Sequence, residues 1–151
     1  MRNEGLGSWP ARRARKTPHR TALIHGDTTF TYAELHTRVT RLAHALRARG
    51  IRRGDRVAYL GPNHPAFLET LFATGLLGAI FVPLNTRLAA PELAYILADS
   101  GAAVLVHASS SIVDELRDVP AHLALDGLDL GAAPADPLDV EVADSDVCMI
   151  M

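Results

Sequence analysis

The sequence predicts an α/β fold in which βαβ units form a mostly parallel sheet. Short apolar segments rich in β-branched residues alternate with segments of helical periodicity along the chain. Glycine and proline separate these segments and mark the turns between them. The order strand, helix, strand, helix, strand is typical of crossover connections, which join parallel strands.

The N-terminal segments predict a helix followed by a β-hairpin. The basic cluster at residues 12–16 is interpreted as the solvated side of the helix. Thr21–His25 and residues 28–32 have the composition of two strands. Gly26 and Asp27 between them predict a tight turn, although the order Asp-Gly would be a stronger hairpin signal.

The next segment predicts an amphipathic helix with both ends marked. Thr31 is followed three residues later by Glu34, the spacing of a capping box. Gly50 is a typical residue just beyond a helix C-terminus. Between these signals, five apolar residues fall on one stripe at helical spacing and predict a buried face. They are Leu35, Val39, Leu42, Ala43 and Leu46.

The centre of the chain predicts a strand, a buried helix and a second strand. Residues 56–60 form the first apolar run, and residues 66–77 are apolar nearly all round, which indicates a well-buried helix ending at Gly78. Residues 80–84 predict the second strand. Its Pro83 cannot donate a ladder hydrogen bond, so we expect it at a sheet edge or at the strand's end.

Four shorter elements are predicted in the following third of the chain. Residues 91–98 predict a helix stopped by Gly101, and residues 103–107 predict a strand. A short helix is expected over residues 109–119, and a short strand over residues 122–125. These segments continue the alternation of an α/β fold.

The C-terminal residues predict a surface connection and then a buried strand. Residues 127–145 are rich in Asp, Pro, Ala and Gly, which indicates the connection. Residues 147–151 form an apolar run, typical of a strand covered on both faces. Cys148 is therefore expected to be a small core residue. Because ligands bind beyond the carboxyl ends of parallel strands, we expect function in a loop that would follow Met151.

Composition indicates one ordinary globular domain. The chain has 151 residues, of which 48% are hydrophobic, and a formal net charge of −2. Its single cysteine excludes an internal disulfide framework and fits a reducing compartment such as the bacterial cytoplasm. No signal peptide is visible, and the longest uncharged run, residues 70–86, is shorter than the roughly 20 residues of a membrane span.

Charge is distributed unevenly along the chain. Residues 1–56 contain 13 of the 15 lysines and arginines but 4 of the 17 acidic residues. A basic half can bind nucleic acid, but here no aromatic side chains are interleaved to stack on bases, so nucleic acid is not an expected partner. Peripheral contact with an anionic membrane remains open.

Motifs that would carry chemistry by themselves are missing from the sequence. It contains neither GxGxxG nor Gly-Lys-Ser/Thr. Its seven histidines include no i, i+4 pair and no HExxH, and we interpret them as solvated or turn residues. They are His19, His25, His36, His44, His64, His107 and His122. The pair Asp114-Glu115 is interpreted as lying exposed on a short helix, so no catalytic residue and no metal ligand is assigned.

Two longer motifs are more specific than a generic core requires. Residues 30–35 read FTYAEL, and residues 75–88 read GLLGAIFVPLNTRL. Between them lie GDRVA at residues 54–58 and Pro62-Asn63. In this order and spacing, from about Trp9 to Met151, the chain resembles the N-terminal part of an acyl-CoA synthetase. These enzymes belong to the adenylate-forming superfamily, together with firefly luciferase and the adenylation domains of peptide synthetases.

The resemblance implies a two-step reaction. A carboxylate attacks ATP in the presence of Mg²⁺ and forms an acyl-adenylate and pyrophosphate; the thiol of CoA then displaces AMP. The sequence PLNTR at residues 83–87 is similar to the form found in fatty-acyl and aryl CoA ligases, which we favour over a peptide-synthetase adenylation domain. In CoA ligases, the arginine matching Arg87 tends to lie near the CoA nucleotide, where a guanidinium suits phosphate. Alternatively, Arg87 braces the following helix.

In the family, a strand like residues 147–151 leads into a lysine-containing phosphate-binding loop, and the acyl pocket and catalytic lysine follow. The resemblance therefore implies a partial N-terminal domain, residues 1–151, truncated before the phosphate loop. We expect this piece to show no ATP–pyrophosphate exchange alone and to aggregate through its uncovered sheet. The competing hypothesis is a non-catalytic α/β binding module. For the complete enzyme, association into a homo-oligomer is an alternative to a monomer.

Overall fold

The computed structural model describes residues 2–108, 110–126 and 128–151. Its helices are α1 (Trp9–Lys16), α2 (Tyr32–Ala48), α3 (Pro65–Leu76) and α4 (Ala90–Ser100). Its strands are β1 (Thr21–His25), β2 (Thr28–Thr31), β3 (Arg56–Leu60), β4 (Ile80–Pro83), β5 (Ala102–His107) and β6 (Ala121–Ala124). Short 3-10 turns lie at Leu6–Ser8, Ser111–Glu115 and Leu130–Ala132.

The predicted α/β class is confirmed by the sheet topology. Strands β3 to β6 form a four-stranded sheet in the order β4-β3-β5-β6, and every neighbouring pair in it is parallel. Strands β1 and β2 form the predicted antiparallel hairpin as a separate two-stranded sheet. Pro83 is the last residue of β4, as its missing N–H predicts.

Helix α2 begins and ends where the sequence signals predict. The Thr31 hydroxyl accepts a hydrogen bond from the Glu34 N–H at 3.2 Å, and the Glu34 carboxylate accepts one from the Thr31 N–H at 2.7 Å. These bonds also lower the pKa of Glu34. Gly50 adopts a φ of +92°, which is readily available only to glycine. All five residues of the predicted apolar stripe are buried.

The sheet separates two hydrophobic cores. One face packs against α2 and α3, and its largest fully buried side chains include Tyr59 and Phe81. The other face packs against α4, through Leu93 and Leu97. The crossover β3-α3-β4 thus runs over the first face and the crossover β4-α4-β5 over the second. This arrangement is a doubly wound sheet.

The apolar C-terminal run differs from its prediction. It pairs in parallel with the outer side of β4, where the Phe81 N–H donates to the Cys148 carbonyl at 2.9 Å. The Ile150 N–H donates to the Phe81 carbonyl at 3.0 Å. Met149 packs against the first core, but Val147 and Cys148 are exposed. The expectation of a core cysteine is wrong, because this segment lies at the sheet's rim and no described helix covers it.

The region around residues 109–119 is also less regular than expected. Ser109 lies outside the described residues, and the predicted short helix is reduced to the 3-10 turn Ser111–Glu115. Beyond that turn, Leu116 and Val119 are buried in the second core. Packing of these two side chains, rather than helical periodicity, therefore determines the path of the chain.

The acidic segment, residues 128–145, contacts the rest of the fold at several points: Leu128, Leu130 and Leu138 pack against the first core, and His44 Nε2 lies 2.8 Å from the Asp136 carbonyl. Within residues 128–145 most side chains are at least partly exposed, but Val142 is buried. Its carbonyl accepts a hydrogen bond from the Glu4 N–H at 2.8 Å, next to a parallel bridge between Asn3 and Val142. Across the described part of the chain, no helix has the length and apolar composition needed to cross a membrane.

Candidate ligand-binding edge of the sheet

The carboxyl ends of the parallel strands form the edge where a doubly wound sheet is expected to bind ligands. From β3 the chain crosses to β4 on one side, and from β4 it returns to β5 on the other side of β3. Because β5 then continues to β6, farther from β3, the connections after β3 and β5 diverge, and a ligand is expected at the ends of these two strands. The Ala108 N–H donates to the Leu60 carbonyl at 3.1 Å and joins the two strand ends.

The connection after β4 carries Arg87. The Asn85 side-chain oxygen accepts a hydrogen bond from the Arg87 N–H at 2.9 Å, and the Asn85 carbonyl accepts one from the Leu88 N–H at 3.2 Å. These bonds form a compact turn before α4 and leave Arg87 exposed. Within the described residues its guanidinium makes no hydrogen bond or ion pair, so bracing of α4 by such a bond is not observed. The CoA-side role of Arg87 stays a prediction.

A long apolar groove lies beside this turn. Its volume is about 690 Å³, and it runs between α4 and the outer side of β4. Leu84, Leu88, Ile96 and Ile150 contribute to its lining. Asp99 and Arg56 lie among the lining residues as well, so the groove is apolar in its middle and charged at one end.

Two ordered polar side chains flank the connection after β3, Tyr59 on the strand itself and His64 at the N-terminus of α3. The Tyr59 hydroxyl donates to the Pro62 carbonyl at 3.2 Å, and the pKa of Tyr59 is raised by burial and by the nearby Glu69 carboxylate. His64 Nδ1 accepts a hydrogen bond from the Ala66 N–H at 3.1 Å, which caps the N-terminus of α3. The His64 ring lies edge-on against His25, with 5.1 Å between ring centroids.

One histidine contradicts the interpretation of all seven as solvated or turn residues. His107 lies on β5 and is only 8% exposed. Its Nδ1 lies 3.0 Å from the Ala108 carbonyl, to which it can donate, and its ring contacts that of His122 at a centroid distance of 5.5 Å. The burial follows from its position at the end of a central strand. The part of the chain that the structure describes contains no group of three or more potential metal ligands.

Comparison with known proteins gives the same family over nearly the whole chain. The sequence model of the AMP-binding enzyme family matches residues 10–151. A feruloyl-CoA synthase from an Amycolatopsis species is 58% identical over 157 aligned positions, covering 100% of this chain and 31% of the relative. A long-chain-fatty-acid–CoA ligase from Mycobacterium tuberculosis is 41% identical, covering 78% of this chain and 24% of the relative.

Solved structures of similar enzymes share the fold. A fatty acyl-CoA synthetase from Mycobacterium tuberculosis superimposes with a TM-score of 0.92 at 35% identity, covering 97% of this chain and 32% of that one. The O-succinylbenzoate CoA synthetase of Bacillus subtilis, solved in complex with ATP and magnesium, gives a TM-score of 0.78 at 35% identity. It covers 89% of this chain and 36% of that one.

The chain thus spans about a third or less of the length of these relatives. The shared region includes the capped helix, the parallel sheet and the turn that carries Arg87. The resemblance drawn from FTYAEL and GLLGAIFVPLNTRL is confirmed: the chain belongs to the AMP-binding enzyme family.

Proposed function

We propose that this chain contributes the N-terminal α/β part of an acid–CoA ligase whose substrate is an aromatic acid of the hydroxycinnamate type. The observation that carries the proposal is the 58% identity to a feruloyl-CoA synthase over the entire chain. The overall reaction consists of adenylation of the carboxylate by MgATP and transfer of the acyl group to the CoA thiol. Residues beyond those of this chain, in the two thirds of the relatives that it does not cover, supply the adenylation chemistry.

The described residues are suited to a supporting role in this reaction. They include no group of three or more His, Cys, Asp or Glu side chains that could hold a metal ion. Among the described residues, the guanidinium of Arg87 is exposed and makes no hydrogen bond or ion pair, and Arg87 lies on a short hydrogen-bonded turn at the sheet edge. An arginine so placed can contact a phosphate of CoA without first breaking another bond.

A chimeric enzyme tests the proposal directly. We expect the Amycolatopsis feruloyl-CoA synthase to keep ferulate-dependent CoA ester formation, within about tenfold of its parent, when this chain replaces the aligned region. At 58% identity, few buried side chains should need to change their packing in the chimera. The isolated chain should show no ATP–pyrophosphate exchange with ferulate. A folded chimera without adenylate formation, or exchange by the isolated chain, would contradict the proposal.

The same chimera tests Arg87. Arg87→Gln is expected to raise the KM for CoA about tenfold while ATP–pyrophosphate exchange stays unchanged, because exchange does not involve CoA. Arg117→Gln is the matched control, since Arg117 is also exposed but is bonded to the Asp114 carbonyl. Equal effects of the two variants, or loss of exchange in Arg87→Gln, would exclude a specific contact with CoA.

A further inference from the structure

A second cavity lies away from the residues assigned to the CoA ligase reaction, between α1 and α2. Its volume is about 480 Å³, and Pro137 and Leu138 of the acidic segment line one side of it. The polar and basic residues that line it come from four segments. They are Arg2, Asn3, Ser8, Arg12, Arg15, His36 and Thr40.

The basic side chains of this cleft converge from one helix face. Arg12 and Arg15 are three residues apart on α1, so they project to the same side. Arg12 makes one long hydrogen bond, 3.3 Å from Nη2 to the Asn3 carbonyl, and Arg15 makes no hydrogen bond or ion pair within the described residues. Arg2 is paired with Glu4 at 3.0 Å. Two guanidinium groups are therefore available to a ligand.

The neutral hydroxyls of the cleft are already engaged. The Ser8 hydroxyl donates to the Gly5 carbonyl at 2.8 Å, and the Thr40 hydroxyl donates to the His36 carbonyl at 2.8 Å. Their hydrogens are not available to a sugar or another neutral polar ligand. The polar side chains that remain free to bind a ligand are consequently the arginines and the His36 ring, and no carboxylate is found among the residues that line the cleft in the described structure.

His36 adds a titratable group to this cationic site. Burial, and after it the charge of Arg15, lower the pKa of His36. The folded chain thus resists protonation of His36, and below the ordinary histidine pKa of about 6.5 this resistance disfavours folding. A bound anion would offset both effects and raise the pKa of His36. Asp136 and Asp139 flank the lining residues Pro137 and Leu138 and are the nearest acidic residues along that segment.

We propose that the cleft between α1 and α2 binds a phosphate-type anion, held by Arg12 and Arg15 and in contact with His36. The group can be a free phosphate or the head group of an anionic phospholipid, because both present the same oxygens to arginine. The site uses none of the residues at the carboxyl edge of the sheet. This proposal therefore goes beyond the ligase reaction, and its test is independent of the test of that reaction.

Pyrophosphate is the probe for the free anion. In the 151-residue chain, at concentrations below the onset of its expected aggregation, we expect saturable binding that raises the pKa of His36. NMR titration of the His36 ring protons measures this rise. The double variant Arg12→Gln/Arg15→Gln should weaken binding at least about tenfold, because two charge-assisted contacts are lost. The matched control is Arg13→Gln, which removes the same charge from the same helix at a residue outside the cleft lining. It should change binding by less than about twofold.

Vesicles distinguish the two sources of phosphate. Trp9 is the chain's only tryptophan and is 58% exposed on α1, so its fluorescence reports contact with a bilayer. The site is assigned to lipid if three results are obtained together. The chain binds phosphatidylcholine vesicles that contain phosphatidylglycerol but not vesicles of pure phosphatidylcholine, this binding requires Arg12 and Arg15, and pyrophosphate fails to bind. Pyrophosphate binding with the same dependence assigns it to a free anion.

The proposal is overturned if neither probe binds saturably. It is equally overturned if Arg13→Gln weakens binding as much as the double variant, because the effect would then be one of net charge. Circular dichroism and urea unfolding of each variant verify that the fold is intact. Since Arg12 and Arg15 are exposed, we expect the double variant to leave the unfolding midpoint nearly unchanged. Arg13→Gln should lower the midpoint slightly, because the Arg13 guanidinium lies over the Tyr32 ring at 5.3 Å from its centroid.

Discussion

Arg38→Ala is expected to lower the free energy of unfolding by about 3 kcal/mol at pH 7. Arg38 on α2 binds Glu69 on α3 through two contacts, Nε to Oε1 and Nη2 to Oε2, the second at 3.2 Å. The Glu69 side chain is only 3% exposed, so the variant would leave an unpaired carboxylate inside the α2–α3 interface. Arg38 is 39% exposed, and water can partly replace it, which places the cost at the lower end of the range for buried pairs.

An exposed ion pair on the same molecule provides the control. Arg53 binds Asp146 at 2.8 Å, but its side chain is 53% exposed, so Arg53→Ala should cost less than about 1 kcal/mol. Chemical unfolding followed by circular dichroism measures both variants. Equal deficits for the two variants would show that the buried pair does not hold α2 and α3 together.

Replacing Gly7 with alanine is expected to have a comparable effect, about 3 kcal/mol. The turn Leu6–Ser8 lies directly on the C-terminal part of α3. A Cβ at Gly7 would lie 2.2 Å from the backbone carbon of Gly75 and 2.2 Å from the backbone nitrogen of Leu76. Because both contacts are with backbone, no side chain can move aside, and the N-terminal segment must separate from α3.

Gly75→Ala tests the same contact from the other side. A Cβ at Gly75 would lie 2.7 Å from the Gly7 nitrogen and 2.9 Å from the Gly7 Cα, so this variant should also be destabilised, though less than Gly7→Ala. Gly26→Ala is the control. Gly26 has a φ of +58° with no atom near an added Cβ, so only the left-handed conformation penalises alanine, by about 1 kcal/mol. A smaller loss in Gly7→Ala than in Gly26→Ala would contradict the steric argument.

The ends and the buried face of helix α2 could be predicted from the sequence, because they depend on signals in neighbouring residues. The capping box at Thr31 and Glu34, the stop at Gly50 and the apolar stripe of α2 agree with the structure because helix ends and faces depend on neighbouring residues. The run at residues 147–151 was misjudged. An apolar composition shows that a segment can be buried, but whether another element covers it depends on its place in the sheet.

The candidate site was predictable in part. Motif order indicated the family and singled out Arg87, and the structure places this residue at the carboxyl edge of the sheet, where its guanidinium has no bonding partner among the described residues. The burial of His107 was missed because a histidine at a strand end resembles a turn residue in sequence. Glu69, a single carboxylate in an otherwise apolar helix, was the available signal for a buried ion pair, and its partner is 31 residues away.

The sequence by itself determined the α/β class, the parallel crossovers and membership of the AMP-binding enzyme family, because periodicity, caps and motifs are local properties. Tertiary structure alone decided the strand order β4-β3-β5-β6, the contact of Gly7 with Gly75 and the convergence of Arg12 and Arg15 beside His36. Those features join residues far apart in the chain. Their energies depend on close packing and on desolvation of charge, which arise only when distant segments meet.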